Sequence, residues 1–258
     1  MYRGWERLIF PAIGPVESTQ MRIGYFGGTF DPIHRGHLAA AQAAATACKL
    51  QRVLFVPTEA SPLKKRRAIT PYIHRYAMTA LALAELSDRR FAPSLLEEPE
   101  FRSRSGRARV RYSIDTVRAF RRQLRKRDQL FFIVGADAFM GIARWHEPER
   151  LLRACEFVVV NRPGYSLADV ADALPKSLRP RTIVSRNTSA ASPRVLRLPG
   201  VTIHLVPEVR VPVSATDLRR ALSAPAASSG RELKKMLPAT VATYIFATGL
   251  YARRDGFK

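Results

Sequence analysis

The stretch that decides the fold reads Met21-Arg22-Ile23-Gly24-Tyr25-Phe26-Gly27-Gly28-Thr29-Phe30-Asp31-Pro32-Ile33-His34-Arg35-Gly36-His37. Residues 21–26 form a short apolar run closed by two glycines, the pattern of a buried strand. Gly27 and Gly28 permit a tight turn and let backbone N–H groups approach an anion. Asp31-Pro32 stops the extended segment and prepares a helix start. His34 and His37 then lie three apart at the N-terminus of that helix, so both imidazoles project from one face. That face meets the positive end of the helix dipole, where two imidazole donors can neutralise charge growing on a phosphate. The alternative is two ordinary histidines near a helix start, and the Gly-Gly-Thr-Phe-Asp-Pro lead-in weighs against it. No Gly-Lys-Ser/Thr triplet follows the glycines, and the G-x-G-x-x-G dinucleotide fingerprint is absent.

Working outward, further strands are expected at 53–56, 130–134, 157–160 and 201–206, several of them continuous and rich in Val, Ile and Phe as buried parallel strands are. Between and after them the spacing predicts helices near 35–48, 71–86, 113–126, 148–154, 166–174, 214–222 and 238–248. Strand and helix alternating at this interval predict an α/β fold, a doubly wound Rossmann-like parallel sheet with C-terminal helices. Segments 61–70 and 99–111 read as basic loops, and 175–200 supports no assignment. Residues 1–20 show no sustained period and read as an N-terminal extension, either disordered or a docked arm using Trp5, Leu8, Ile9 and Phe10. The expected domain runs over 21–251, with a helical part from about 212 and a tail at 252–258.

Composition narrows the class. The 258 residues are 47% hydrophobic, too apolar for a disordered polycation. No apolar run approaches the roughly 20 residues of a membrane span. Two cysteines, Cys48 and Cys155, make no disulfide framework, so a reducing cytosol is the expected compartment. The net charge is +22, carried by 35 arginines and 8 lysines. A polyanionic partner and an arginine-rich solvated surface both account for that charge; the excess of arginine favours the second, because phosphate binding alone would not exclude lysine. One cluster stands out, with eleven basic residues against Asp115 between Arg102 and Arg127.

The segment 27–37 resembles the H-x-G-H motif of the nucleotidyltransferases, relatives of the class I aminoacyl-tRNA synthetases. Further segments resemble one branch, the bacterial nicotinate-nucleotide adenylyltransferases. They are Ser61-Pro62-Leu63-Lys64, Ile133-Val134-Gly135-Ala136-Asp137, Trp145 with 157–160 and Arg162-Pro163-Gly164-Tyr165, Ser214-Ala215-Thr216-Asp217-Leu218-Arg219, and Leu237-Pro238 with Tyr244 and Gly249-Leu250-Tyr251. They follow the family's order over 21–251. The implied reaction joins ATP to nicotinate mononucleotide, giving deamido-NAD and pyrophosphate. The attacking phosphate oxygen is already anionic, so catalysis is positioning plus charge stabilisation.

The resemblance assigns His34 and His37 to the transferring phosphate, and Lys64 with Arg219 to the leaving pyrophosphate. It places ATP against Gly27, Gly28, Thr29, Phe30, Gly36, Gly135, Asp137, Ser214 and Thr216. It places the mononucleotide against Tyr112, Ser113, Thr116, Trp145 and Arg162, with the pyridine ring on the indole of Trp145. Residues alone support part of this. Ser214 and Thr216 stand where an N-cap starts a helix, Arg219 lies one turn on with a fork suited to phosphate, and Asp137 follows a strand end. Each also has a structural reading: a solvated capped helix, a solvated loop lysine, a helix cap at Asp137, a core tryptophan. Mg²⁺ is expected to arrive on the ATP phosphates, without a dedicated protein site. Arg111 and Ser113 depart from the family's usual residues, and Ala215 replaces a serine. Three alternatives remain: an enzyme preferring nicotinamide mononucleotide, a phosphopantetheine adenylyltransferase, and an RNA-binding module related to the synthetases. The basic 102–127 run supports the last and leaves non-specific nucleic-acid contact open. The missing K-M-S-K-S element and anticodon domain oppose it. No membrane partner is expected, and oligomeric state is not legible.

Overall fold

The continuous apolar runs form the middle of a single sheet. Its strands are β1 (Arg22–Gly28), β2 (Arg52–Pro57), β3 (Phe91–Pro93), β4 (Gln129–Gly135), β5 (Glu156–Val160), β6 (Arg194–Leu198) and β7 (Val201–Val206). They lie in the order β3-β2-β1-β4-β5-β7-β6. Every pair is parallel except the β6–β7 hairpin. The helices are α1 (Arg35–Ala47), α2 (Tyr72–Leu86), α3 (Ser113–Arg121), α4 (Ala136–Phe139), α5 (Pro148–Ala154), α6 (Leu167–Asp172), α7 (Ala215–Leu222) and α8 (Ala239–Thr248). The computed structural model describes residues 20–59, 69–98, 112–160, 165–180, 194–206, 209, 211, 213–223, 233 and 235–252.

Side chains alternate across each strand, so the sheet carries a core on both faces. Leu130, Phe132 and Val134 of β4 join Ile114, Val117 and Phe120 of α3 on one side. Phe131 and Ile133 join Ala41, Ala44 and Ala45 of α1 and Met78 and Ala82 of α2 on the other. The small alanine side chains let α1 lie close over β4 and β5. This is the doubly wound α/β architecture expected from the strand–helix alternation, and the two C-terminal helices complete the second core through Leu218, Val241 and Ile245. No helix among the described residues is long and apolar enough to cross a membrane.

Four elements differ from expectation, the four-residue α4 among them. β3 and β6 were not anticipated: β3 is three residues ending in a proline, and β6 lies in the unassigned 175–200 region beside a short 3₁₀ turn at Lys176–Leu178. The helix expected over 113–126 stops at Arg121. Asp128 explains the stop. Its carboxylate accepts from the backbone N–H of Met21 at 3.0 Å and from Arg125, backbone and Nε, at 3.1 Å each. These bonds turn the chain toward β4. Burial opposes charge on Asp128, yet the same donors hold its carboxyl below the usual carboxylate range. The basic loops at 61–68 and 99–111, and residues 1–19 and 253–258, lie outside the described residues.

The described end of the basic run faces away from the carboxyl ends of the parallel strands. Arg121, Lys126 and Arg127 join Arg153 around a groove of about 260 Å³ at the amino ends of β4 and β5. Nearby, Glu156 of β5 bonds His204 of β7 at 2.6 Å between the strands. The His204 bond, with Arg22 and Arg197 adding to it, holds the Glu156 carboxyl below its ordinary value. Its contribution to stability is therefore complete above about pH 4.3 and is lost as pH falls through the lowered folded value. His204→Leu leaves this carboxylate without its partner, at an expected cost of about 1–3 kcal/mol at neutral pH. Urea unfolding checks this, and the gap between the two proteins should narrow below about pH 4.

Candidate active site

The parallel strands all end on one edge, at Gly28, Pro57, Gly135 and Val160. From β1 the chain moves to β2 and β3 on one side, then crosses to β4 on the other. Open α/β sheets bind ligands at such a reversal. The β1–α1 connection leaves from this point. Phe30 takes φ 45° and the Asp31–Pro32 peptide is cis, which brings the chain round to His34 as the N-cap of α1.

His34 and His37 are stacked, ring centres 3.7 Å apart and 26° from parallel. The backbone N–H of His34 donates to His37 Nδ1 at 3.3 Å. An accepting Nδ1 puts the proton of the neutral His37 ring on Nε2, which makes Nε2–H a donor. The edge of Phe30 packs on the other side of His37 at 5.1 Å. His34 is buried and His37 half-buried. The glycine between them is required sterically: a Cβ at Gly36 would stand 2.9 Å from Val213 and 3.0 Å from His34 Nδ1.

Arg219 reaches this loop from α7. Its Nη1 donates to the Asp31 carbonyl, and its Nη2 donates to Thr216 Oγ1 at 3.1 Å. Ser214 caps α7, its Oγ accepting from Asp217 N–H at 3.1 Å and donating to Asp217 Oδ2 at 2.6 Å. Asp31 is buried, and its Oδ1 accepts from Tyr251, just past α8, at 2.7 Å. Burial pushes the Tyr251 phenol well up, so it stays a donor. Gly27 to Phe30, His34, Gly36, His37, Ser214, Thr216 and Arg219 therefore converge on the mouth of β1.

The second predicted group gathers around the end of β4. Asp137 stands in the first turn of α4 and accepts from Tyr165 Oη at 3.2 Å. A Cβ at Gly135 would meet nothing within 4 Å, so this glycine leaves open space at the strand end. Tyr112 caps α3, directly before Ser113, and its ring stacks on His146 at 3.9 Å. Thr116 is fully buried, and its Oγ1 donates to Glu97 Oε1 at 2.8 Å. Its one proton faces Glu97 rather than the solvent side of the cleft. Trp145 is half-buried, packs its ring against Phe132 at 6.0 Å, and holds Nε1 inside the fold with no hydrogen bond among the described residues. Lys64 and Arg162 lie outside the described residues.

Sequence reasoning missed Glu97, Arg75 and the acceptor role of Asp31. Tyr25 also donates to Glu97 Oε1, at 3.4 Å. Only Arg75 left a signal. It falls at 75 between Tyr72, Met78, Thr79 and Ala82, all on the buried face of α2.

Known proteins share this sequence pattern and fold. The family description "Cytidylyltransferase-like" matches residues 25–221. A Moorella thermoacetica protein named as a probable nicotinate-nucleotide adenylyltransferase is 36% identical over 236 residues, 91% of this chain and 94% of that one. A Thermus thermophilus protein of the same name is 40% identical over 231 residues, 90% of this chain and 100% of its own. The solved structure of a Plasmodium falciparum nicotinic acid mononucleotide adenylyltransferase complexed with NaAD shares the fold at TM-score 0.63, with 16% identity over 90% of this chain and 98% of that one.

Thr116→Val removes the 2.8 Å hydroxyl bond to the buried Glu97 carboxylate. The expected cost is about 1–3 kcal/mol of stability by chemical denaturation. An unchanged midpoint would show that Glu97 does not depend on this hydroxyl.

Proposed function

The chain belongs to the cytidylyltransferase-like family, among the nicotinate-nucleotide adenylyltransferases, and from that premise we propose that it transfers the adenylyl group of ATP to nicotinate mononucleotide in NAD biosynthesis. The observation that carries this reading is the stacked His34–His37 pair facing Arg219 across Asp31 at the mouth of β1. In the reaction, a phosphate oxygen of the mononucleotide attacks the α-phosphorus of ATP. The bond from that phosphorus to the bridging oxygen breaks, and pyrophosphate leaves with the electron pair. No protein group need be adenylylated or deprotonated. The His37 Nε2–H donor, at the N-terminus of α1, neutralises charge growing on the α-phosphate oxygens. Arg219, with Lys64, holds the leaving pyrophosphate. ATP rests its phosphates on the Gly27–Phe30 turn and the capped start of α7, and its ribose on Asp137. Tyr112, Ser113, Trp145 and Arg162 receive the mononucleotide, with Thr116 held behind them by Glu97.

Magnesium enters as part of the substrate. The titratable and charged side chains that reach the mouth of β1 are the imidazoles of His34 and His37 and the guanidinium of Arg219, with neutral hydroxyls at Ser214 and Thr216, whereas Mg²⁺ prefers carboxylate and phosphate oxygens. The nearest carboxylate, Asp31, already accepts from Tyr251. These residues suit an ion carried by ATP rather than one held by protein. Residues 21–251 act as one domain in this reading. The setting is the reducing cytosol, in keeping with Cys48 and Cys155 as free thiols.

Pyrophosphate release with nicotinate mononucleotide, its amide and phosphopantetheine as acceptors tests the assignment. The acid should give the highest kcat/KM, and a preference for either other acceptor would replace this reading. His37→Ala should lower kcat by about 10²–10³-fold, the loss seen when one donor to a developing oxyanion is removed. Near-normal turnover would remove His37 from the mechanism. Trp145→Ala should raise KM for the mononucleotide more than for ATP. An equal effect on both would make the residue a packing element.

A further inference from the structure

Among the described residues, the largest side chain fully enclosed is a cation. Arg75 of α2 is 1% exposed. It has no carboxylate within hydrogen-bond distance in the described structure, and its donors go to backbone carbonyls. Nε donates to Thr70 at 2.7 Å, Nη1 to Thr29 at 2.8 Å and Thr58 at 2.7 Å, and Nη2 to Glu59 at 3.3 Å. The guanidinium lies over the face of Tyr72, 5.6 Å from the ring centre. Burying a guanidinium is costly unless its donors are satisfied. A long aliphatic side chain would fill this volume without that cost. What it could not do is hold four carbonyls from three chain segments on one group.

Those segments are the ones the proposed reaction uses. Thr29 belongs to the turn after β1. Thr58 and Glu59 follow β2, and Thr70 precedes α2, so both flanks of the segment carrying Lys64 are tied to the guanidinium that holds Thr29. A peptide group is planar, with its C=O and N–H pointing in opposite directions. Fixing the Thr29 carbonyl on Arg75 therefore aims the Phe30 N–H away from it. Phe30 is the residue at φ 45°, a conformation that needs outside support in a non-glycine residue. Its ring also backs His37.

We propose that Arg75 is a positioning residue for the triphosphate: one guanidinium sets the Thr29–Phe30 peptide and the flanks of the 60–68 segment in the arrangement that ATP meets. It touches no substrate. The mononucleotide, received at the far side of β1 around β4 and α3, does not depend on it. This rests on the adenylyltransferase reading for both ATP and the mononucleotide.

Direct binding of a non-hydrolysable ATP analogue and of nicotinate mononucleotide, measured separately by calorimetry on the full chain, tests the proposal. Arg75→Lys keeps the charge and loses the planar fork. It should weaken the ATP analogue about 10²-fold, the scale of a roughly 1 Å misplacement, and leave mononucleotide binding unchanged. In turnover the same variant should lose kcat/KM for ATP selectively. Arg75→Ala should lose more and recover in part when guanidinium is added far below denaturing concentration. If Arg75→Lys does not fold, this rescue in Arg75→Ala decides the matter by the same split. Equal loss for both ligands, tracking a fall in melting temperature, would overturn the proposal and leave Arg75 as a packing residue. So would unchanged binding of the ATP analogue, or a native protein that does not bind it. A native protein that binds ATP but releases no pyrophosphate with nicotinate mononucleotide would overturn the acceptor assignment alone, and the ATP arm would still judge Arg75.

Discussion

Strand β1 pairs in parallel with β2 on one side and β4 on the other, so the backbone donors and acceptors along its middle are used inside the sheet. A strand enclosed in this way can only release the chain at its end. Because its neighbours run the same way, their loops emerge at the same edge. The site follows from this constraint. The turn after β1, the Thr58–Glu59 exit from β2 and the Asp137 start after β4 face a common opening because they are ends of parallel strands. Helix α1 starts there and points its N-terminus into the opening, which places His34 and His37 where an anion is favoured.

Within that frame, polar bonds rather than apolar packing set the fine positions. Asp31 receives Tyr251 on its carboxylate and Arg219 on its carbonyl. Glu97 receives Tyr25 and Thr116. Arg75 serves three chain segments with one group. Each hub is buried, and each joins elements distant in sequence. Buried polar groups of this kind are costly when half satisfied and rigid when complete. That is the condition a site built on positioning alone requires.

The strands enclosed on both sides were legible because burial on two faces imposes continuous Val, Ile and Phe, and the runs at 130–134 and 157–160 needed no other signal. β3 escaped because a three-residue edge strand ending in Pro93 has no period. β6, Arg194–Leu198, escaped because an edge strand with exposed arginines reads like the loop around it. At the site, His34, His37 and Arg219 were visible through their local spacing. Arg75, Glu97 and Asp31 act through partners far along the chain, and a single sequence carries no record of such pairings. The charge that first drew notice now divides by place. Arg219 and Arg75 stand at the reacting edge, whereas Arg121, Lys126, Arg127 and Arg153 crowd the opposite end of the sheet.

The bonds that close the site span 188 residues, from Arg219 to Asp31, and 220 residues, from Tyr251 to Asp31. Contacts of such separation form late, because the intervening chain must already be ordered before they close. During synthesis the glycine turn and both histidines emerge early, while the groups that lock Asp31 arrive only with α7 and α8. A growing chain therefore carries the catalytic motif long before it carries a finished pocket. The opening at the mouth of β1 takes its final form only when α7 and the Tyr251 turn after α8 have docked on Asp31.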